Sequence, residues 1–125
     1  MELYIEQTLQ QGITAHKEGK IHDAERFYRA ILKCQPTHAD ANHQLGLLIS
    51  SVNKVGVAIP MFKLALEADP KNERFWFSYI DALIKEKQFD NASHVLEQAK
   101  SQNLDIEKLN DLELQLDSIT MSRGI

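Results

Sequence analysis

The side chains able to bind a metal ion or attack a substrate are scattered along this chain. Its five histidines are His16, His22, His38, His43 and His94. No two of them stand three or four residues apart, the spacing that places two ligands on one face of a helix. Cys34 is the single cysteine, and it lies near the C-terminal end of a predicted helix, a position that disfavours a nucleophilic thiolate. With no glycine-rich phosphate loop or nucleophile elbow either, the sequence predicts no catalytic residue, no metal site and no cofactor, and hence no enzyme.

Composition narrows the class of protein further. Hydrophobic residues make up 43% of the chain and charged residues 26%, the balance of an ordinary globular domain. No apolar run approaches the ~20 residues of a membrane span, and residues 1–4 lack the basic start of a signal peptide. The net charge of −4 disfavours a general nucleic-acid-binding protein, which needs clustered Lys and Arg. We therefore expect a cytoplasmic protein with no membrane and no nucleic-acid partner.

The sequence repeats itself at a fixed spacing. The first unit contains Gly12, Ala24, Tyr28, Ile31 and Pro36. Adding 34 to each of these numbers gives Gly46, Ala58, Phe62, Ala65 and Pro70, and adding 34 again gives Ile80, Ala92, Leu96, Ala99 and Leu104. The position of Ala24 holds alanine in every unit, and the position of Tyr28 holds a bulky residue in every unit. Each unit is therefore predicted to form the same supersecondary structure.

Within each unit, apolar residues recur at helical spacing in two runs with a polar turn between them. The turns centre on Gly19, Asn53 and Lys87, and the first two suit a left-handed backbone. Pro36 and Pro70 end the first two units, because proline stops helix propagation. The pattern predicts seven helices, near residues 3–17, 21–34, 38–51, 55–68, 72–86, 89–101 and 105–119. The expected fold class is all-α, with three helical hairpins and a closing helix.

Local signals predict how several of these helices begin. Thr37, followed three residues later by Asp40, indicates a capping box, and Asn72 and Asp105 are predicted N-caps. Pro60 falls inside the second helix of the second unit, where it removes a backbone hydrogen bond. We expect a kink or a late-starting helix there.

The closing helix is predicted to have one apolar side and one polar side. The apolar side consists of Ile106, Leu109, Leu112, Leu116 and Ile119, whereas Leu114 falls outside it. A stack of repeats needs such a cap, because its last unit otherwise exposes its packing face. The predicted organisation is a single domain over 1–121, with repeats near 5–38, 39–72 and 73–106, a capping helix near 105–119 and a frayed tail at 122–125.

The unit resembles the tetratricopeptide repeat, which is about 34 residues long and carries Trp, Leu, Gly, Tyr, Ala, Phe, Ala and Pro at set places. Trp76 and Tyr79 occupy two of these places in the third unit, and Leu45 and Gly46 occupy two in the second. The later alanine, aromatic and proline places are filled as described above, and the resemblance covers roughly residues 5–104. This chain departs from the pattern at Thr8, Asn42, Ile80 and Leu104. The resemblance implies a right-handed α-solenoid whose concave groove receives an extended peptide or protein segment.

In the register of this resemblance, the first helix of each hairpin lines the groove. The groove residues so predicted are Gln10, Ile13, His43, Gln44, Leu47, Arg74, Phe77, Ser78 and Asp81. Gln10 and Gln44 occupy the same repeat position, and their amides can both donate to and accept from a peptide backbone. The partner is thus expected to be a protein or peptide, whose identity the sequence leaves open.

One function within the family is disfavoured. Tetratricopeptide domains that hold the C-terminal carboxylate of chaperones use five Lys, Asn or Arg residues, and the corresponding positions here are Leu9, Ile13, Gln44, Arg74 and Ser78. Only one of the five is cationic, whereas a carboxylate clamp needs convergent positive charge.

Two alternatives stay open. Apolar groove residues, namely Leu9, Ile13, Leu47, Phe77 and Ile84, would form a patch that two copies could bury as a homodimer. The first unit also resembles the N-terminal repeats of bacterial proteins that carry a glycosyltransferase or sulfotransferase domain downstream. On that resemblance the chain would be the scaffold region of a larger bacterial protein.

Overall fold

The computed structural model describes residues 4–123 and places seven α-helices and no β-strand in that range. The helices are α1 (Ile5–Lys17), α2 (Ile21–Cys34), α3 (Ala39–Ser51), α4 (Val55–Ala68), α5 (Glu73–Lys85), α6 (Phe89–Lys100) and α7 (Ile106–Arg123). The all-α prediction is confirmed, and the predicted bounds of α2 and α4 agree with those observed. The largest difference is at α7, which continues to Arg123. Positions 124 and 125 of the expected frayed tail lie outside the described residues.

Consecutive helices pack against one another along the whole chain. The pairs α1–α2, α3–α4 and α5–α6 form three hairpins, and each hairpin contacts the helix that follows it. The interior divides into two apolar clusters. One surrounds Tyr28, Leu45 and Phe62 in the first two hairpins, and the other surrounds Phe75 and Trp76 in the third hairpin and α7. Stacking of hairpins, rather than any single hairpin, therefore buries the core.

The three turns inside the hairpins share one backbone conformation. Gly19, Asn53 and Lys87 have φ values of 79°, 64° and 60°. This left-handed region costs little for glycine and is tolerated by asparagine, but it crowds the Cβ of other residues. The sequence-based prediction is confirmed at Gly19 and Asn53. Lys87 has the same left-handed φ although its Cβ disfavours it.

Helix starts confirm two predicted caps and correct a third. Asn72 Oδ1 accepts a hydrogen bond from the Arg74 N–H at 3.0 Å, and Asp105 Oδ1 accepts one from the Glu107 N–H at 3.0 Å. The predicted cap at Thr37 is wrong, because α3 begins one residue later. His38 is the N-cap, and its Nδ1 accepts a hydrogen bond from the Ala41 N–H at 3.0 Å.

Pro60 lies inside α4 without delaying its start. The helix begins at Val55, five residues earlier, and continues to Ala68. A late start at the proline is therefore excluded. The expected kink stays a prediction.

An aromatic ring packs directly on a glycine in each of the first two hairpins. A Cβ added to Gly12 would lie 2.5 Å from Tyr28 Cε1, and one added to Gly46 would lie 2.6 Å from Phe62 Cε1. Carbon atoms do not approach so closely, so glycine is what lets the ring of the second helix lie on the backbone of the first. Each ring thus contacts the glycine of its own hairpin.

The Tyr28 hydroxyl is buried, and none of the described residues forms a hydrogen bond with it. Burial disfavours the phenolate and raises the pKa of Tyr28 to about 12.

The closing helix α7 buries part of its predicted apolar side. Leu109 and Leu116 are buried, and Leu112 and Ile119 pack against the same cluster. The prediction for Ile106 is wrong, since 69% of this residue is exposed. Ile106 is the first residue of the helix and lies at the edge of the apolar side. Leu114 is exposed, as its position outside that side indicates.

Candidate functional site

The first helices of successive hairpins lie next to one another and form one continuous surface. Helix α1 contacts α3, and a side-chain hydrogen bond joins α3 to α5. We call the exposed surface of α1, α3 and α5 the groove surface. Of the nine residues predicted to line it, Gln10 and Arg74 are exposed, and six others are half-buried: Ile13, Gln44, Leu47, Phe77, Ser78 and Asp81.

The ninth predicted residue, His43, does not belong to this surface. Only 2% of it is exposed, and its ring lies 4.8 Å from that of Phe75 and 5.8 Å from that of Phe62, centroid to centroid. Its Nε2 lies 2.7 Å from the Ser78 hydroxyl oxygen. A partner cannot reach a side chain so enclosed, and His43 is a core residue that links α3 to α5. The prediction failed because the rings of Phe62 and Phe75 cover the position of His43, and sequence periodicity does not show this contact.

The environment of His43 keeps its imidazole neutral. Burial lowers the pKa of His43 to about 4, and the nearby positive charge of Arg74 contributes to this lowering, against the opposite effect of Asp40. The neutral ring can hydrogen-bond to Ser78 without the cost of a buried charge. This link sets the position of the Ser78 hydroxyl beneath the groove surface.

The structure brings three of the predicted groove residues together around one cavity of about 110 Å³. We call it the α3–α5 cavity. The residues that line it are Leu47, Ser50, Val55, Phe62, Ser78, Asp81, Ala82 and Lys85. Apolar side chains of α3 and α4 contribute to its lining, and Asp81 and Lys85 of α5 contribute charged groups. Their carboxylate and ammonium groups pair at 2.9 Å.

Phe77 is less accessible than the sequence indicated, because α7 reaches over it. Lys108 Nζ lies 5.5 Å from the centroid of the Phe77 ring and 3.6 Å from Glu73 Oε1. The ammonium group is thus attracted both by the ring face and by the carboxylate. Helix α7 therefore borders the groove surface at its C-terminal end.

Gln10 lies apart from the α3–α5 cavity. It lines a wider depression of about 650 Å³ between α1 and α2, together with Gln7, Gln11 and Phe27. A depression of about 810 Å³ lies between α4, α5 and α6, with Trp76 and Tyr79 among its residues. That one contains no predicted groove residue. The α3–α5 cavity contains three of the nine predicted groove residues, more than either of these two depressions.

Sequence reasoning missed five residues of the α3–α5 cavity, among them Ser50 and Lys85. Their helical phase was available, since each lies three or four residues from a predicted groove residue on the same helix. Val55 and Phe62 come from the second helix of a hairpin, and Ala82 is buried between helices. Only packing of three helices brings these side chains to one place.

Two further features bear on the class of site. In residues 4–123, no three His, Cys, Asp or Glu side chains are grouped so that they could hold a metal ion. Over the same stretch, no helix combines the length and the apolar composition that crossing a membrane requires.

Comparison with known proteins agrees with the repeat and the fold. The model of a family described as tetratricopeptide repeat matches residues 53–113. No curated protein sequence matches the chain. The chain thus has the tetratricopeptide repeat fold, and the sequence match to that family covers just under half of its length.

Solved structures resemble the chain over most of its length at low sequence identity. The type III secretion translocator chaperone SycD of Yersinia enterocolitica has a TM-score of 0.79 at 19% identity, covering 97% of this chain and 86% of SycD. The TPR2B domain of yeast Sti1, in its complex with pHsp70, has a TM-score of 0.79 at 18% identity, covering 91% of this chain and 96% of that one. An O-GlcNAc transferase of Thermobaculum terrenum has a TM-score of 0.71 at 22% identity, covering 87% of this chain but only 22% of the transferase.

Proposed function

We propose that this chain is a non-catalytic interaction module that binds an extended peptide or protein segment on the groove surface. The observation that carries the proposal is the α3–α5 cavity, because it joins predicted groove residues from two hairpins in a concave site. Elsewhere on the groove surface, Gln44 and Arg74 supply polar groups, and Leu47 supplies apolar contact at the cavity itself. The TPR2B domain of Sti1 forms a complex with pHsp70, which supports an interaction role for a fold of this shape.

The test is selection of binders from a library of short random peptides, followed by affinity measurements on two charge-reversed variants. Arg74→Glu changes an exposed residue of the groove surface, and Lys63→Glu makes the same charge change on α4. We expect Arg74→Glu to lower the affinity for the selected peptides by about tenfold or more. Lys63→Glu should leave that affinity within about twofold of the wild-type value.

The reverse ranking of the two variants would contradict the proposal. It would place binding at the depression between α4, α5 and α6, which Lys63 borders. Selection that yields no peptide binder would also contradict it. Far-ultraviolet circular dichroism of both variants would establish that each retains the helical fold.

A second candidate function is that of a scaffold within a larger protein. The match to one part of the Thermobaculum terrenum transferase, 22% of its length, favours this alternative. It predicts that the gene's reading frame continues into a catalytic domain. A frame that encodes no such domain would contradict it.

Self-association through the groove surface has less support than the sequence suggested. Leu9 and Ile84, two of the five apolar residues expected in the shared patch, are buried. The remaining three are half-buried, and Lys108 covers part of Phe77. Light scattering over a wide concentration range would detect a homodimer, and a mass that stays monomeric throughout would exclude it.

A further inference from the structure

Exposed apolar side chains concentrate on two helices outside the groove surface. Among the described residues, seven large apolar side chains are exposed, and five of them belong to α4 or α7: Val57, Leu64, Ile106, Leu114 and Met121. Exposed apolar side chains grouped on one surface are typical of a surface that a partner covers. The outer sides of α4 and α7 are thus the places where apolar surface is left for a partner.

On α4, the exposed apolar residues form a stripe. Val57, Pro60 and Leu64 lie on one side of the helix, because they stand three and four residues apart. All three are exposed, Val57 to 57% and Leu64 to 39%. The same repeat positions hold Asp23, Arg26 and Ala30 in α2 and Asn91, His94 and Gln98 in α6. The stripe is therefore a property of the second hairpin and not of the repeat.

Helix α2 has a basic outer side. Arg26, Arg29 and Lys33 are exposed and follow one another at the same spacing of three and four residues. Arg26 donates through Nη2 to Asp23, and Arg29 donates through Nε to Glu25. A guanidinium group has five N–H donors, so each arginine can bind a second carboxylate. Lys33 has no ion-pair partner among the described residues.

The repeat places this basic side next to the apolar stripe. Helices α4 and α6, the second helices of successive hairpins, border one depression. Three residues of α6 at this depression occupy the repeat positions of the stripe, namely Asn91, His94 and Gln98. Two residues of α4 there occupy the positions of Arg29 and Lys33, namely Lys63 and Glu67. Since α2 and α4 are related in the same way, their basic and apolar residues face each other. We call these residues of α2 and α4 together the α2–α4 face.

The outer side of α7 has the complementary character. Leu114 and Met121, 67% and 72% exposed, stand seven residues apart and so lie on the same side of the helix. Three exposed acidic residues stand three or seven positions from Leu114, on that same side: Glu107, Asp111 and Asp117. The ion pairs of α7 involve Lys108 and Glu113 instead. We call the two apolar and three acidic residues the α7 face.

We propose that the α7 face of one copy of this chain docks on the α2–α4 face of a second copy. Leu114 and Met121 would cover Val57 and Leu64, while the acidic residues of α7 pair with the basic residues of α2. Pairing of two α7 faces would bring acidic groups together, and pairing of two α2–α4 faces would do the same for basic groups. The contact is therefore head to tail. It goes beyond the proposed peptide binding and is independent of it, because the groove surface consists of α1, α3 and α5.

The test is analytical ultracentrifugation of the wild type and of two variants that each damage one face. Leu64→Glu places a carboxylate in the apolar stripe, and Leu114→Lys places an ammonium group on the α7 face. Over concentrations from about 10 µM to about 1 mM, we expect the wild-type mass to rise. Each substitution should lower the association constant by about tenfold or more. Circular dichroism would establish that these exposed substitutions retain the helical fold.

Mixing the two variants distinguishes a head-to-tail contact from a contact between identical faces. Leu64→Glu retains the α7 face, and Leu114→Lys retains the α2–α4 face. An equimolar mixture should therefore form a heterodimer at concentrations where each variant alone is a monomer. Val52→Glu changes an exposed apolar residue outside both faces, and it should associate as the wild type does.

Three results would overturn the proposal. One is a wild type that stays monomeric at every concentration. Another is a mixture that stays monomeric, or either variant alone that associates as strongly as the wild type. The third concerns charge: raising the salt concentration from about 50 to about 500 mM should weaken association by about threefold or more, and no weakening would exclude the pairing of α7 with α2. None of these outcomes depends on a peptide at the groove surface, so this proposal and the proposed function fail separately.

Discussion

The first two hairpins and the third fill the space between their two helices with opposite combinations of large and small residues. In the first two, a glycine on the first helix lies beneath an aromatic ring of the second, Gly12 beneath Tyr28 and Gly46 beneath Phe62. In the third, the glycine position holds Ile80 and the aromatic position holds Leu96, and both are buried in one cluster. A larger residue on one helix is matched by a smaller one on the other. What the repeat conserves is therefore the volume between two helices rather than the identity of either residue.

The same contrast extends to the position of His43. The corresponding residues are Leu9, one repeat earlier in the first hairpin, and Phe77, one repeat later in the third. Leu9 and His43 are buried, whereas Phe77 is half-buried beneath Lys108. One repeat position thus serves as core in two hairpins and as part of the surface in the third. The position of a residue in the repeat determines on which side of its helix it lies. Whether its side chain is accessible depends on the side chains that pack around it.

The largest expected effect on stability comes from a substitution that disrupts the contact between glycine and aromatic ring in the second hairpin. Gly46→Ile gives this hairpin the residue of the third, and its side chain would collide with the Phe62 ring. We expect about 3 kcal/mol or more of lost unfolding free energy, measured by urea denaturation. Adding Phe62→Leu to make the third hairpin's pair should recover at least about 1 kcal/mol. A double variant no more stable than Gly46→Ile would show that the two positions do not compensate each other.

A smaller effect concerns His43 and is seen only as pH falls. Because its folded-state pKa is lowered from 6.5 to about 4, the unfolded chain takes up a proton between these values while the folded one does not. Stability from this residue is fully present above pH 6.5 and is lost as the pH falls toward 4. His43→Leu, the residue of the first hairpin, should therefore reduce the loss of unfolding free energy between about pH 7 and about pH 4.5 by about 2 kcal/mol.

The measurement is the difference between urea titrations of the wild type and His43→Leu at the two pH values. Carboxylates titrate in both proteins and largely cancel in this difference. An identical loss in both would mean that His43 takes up its proton as readily in the folded state as in the unfolded one.

The smallest expected effect concerns the turns. Lys87 has a φ of 60° where the first hairpin has Gly19. Lys87→Gly removes the crowded Cβ and should raise the free energy of unfolding by up to about 1 kcal/mol, less the added entropy of the unfolded chain. Gly19→Lys should lower it by a similar amount, as measured by thermal denaturation. A loss of stability from Lys87→Gly, or a gain from Gly19→Lys, would show that the turns are not equivalent.

Local chemistry made most of the fold predictable. The repeat spacing, the two prolines that end units and the apolar periodicity determined the number of helices and nearly all their ends, because these features act within a few residues along the chain. Asn72 and Asp105 were identifiable as caps for the same reason. The cap of α3 was wrongly predicted at Thr37, because the adjacent residue, His38, can also cap a helix and does so in the structure.

The site was predictable only in part. Helical phase placed Leu47, Ser78 and Asp81 on one side of their helices, and the structure brings them to one cavity. The tertiary structure alone decided that His43 is enclosed by Phe62 and Phe75. Accessibility depends on side chains far apart in the sequence, which periodicity cannot relate to one another. The sequence by itself thus determined which helices form and which way their residues face, and only packing between hairpins decided which of those residues a partner can reach.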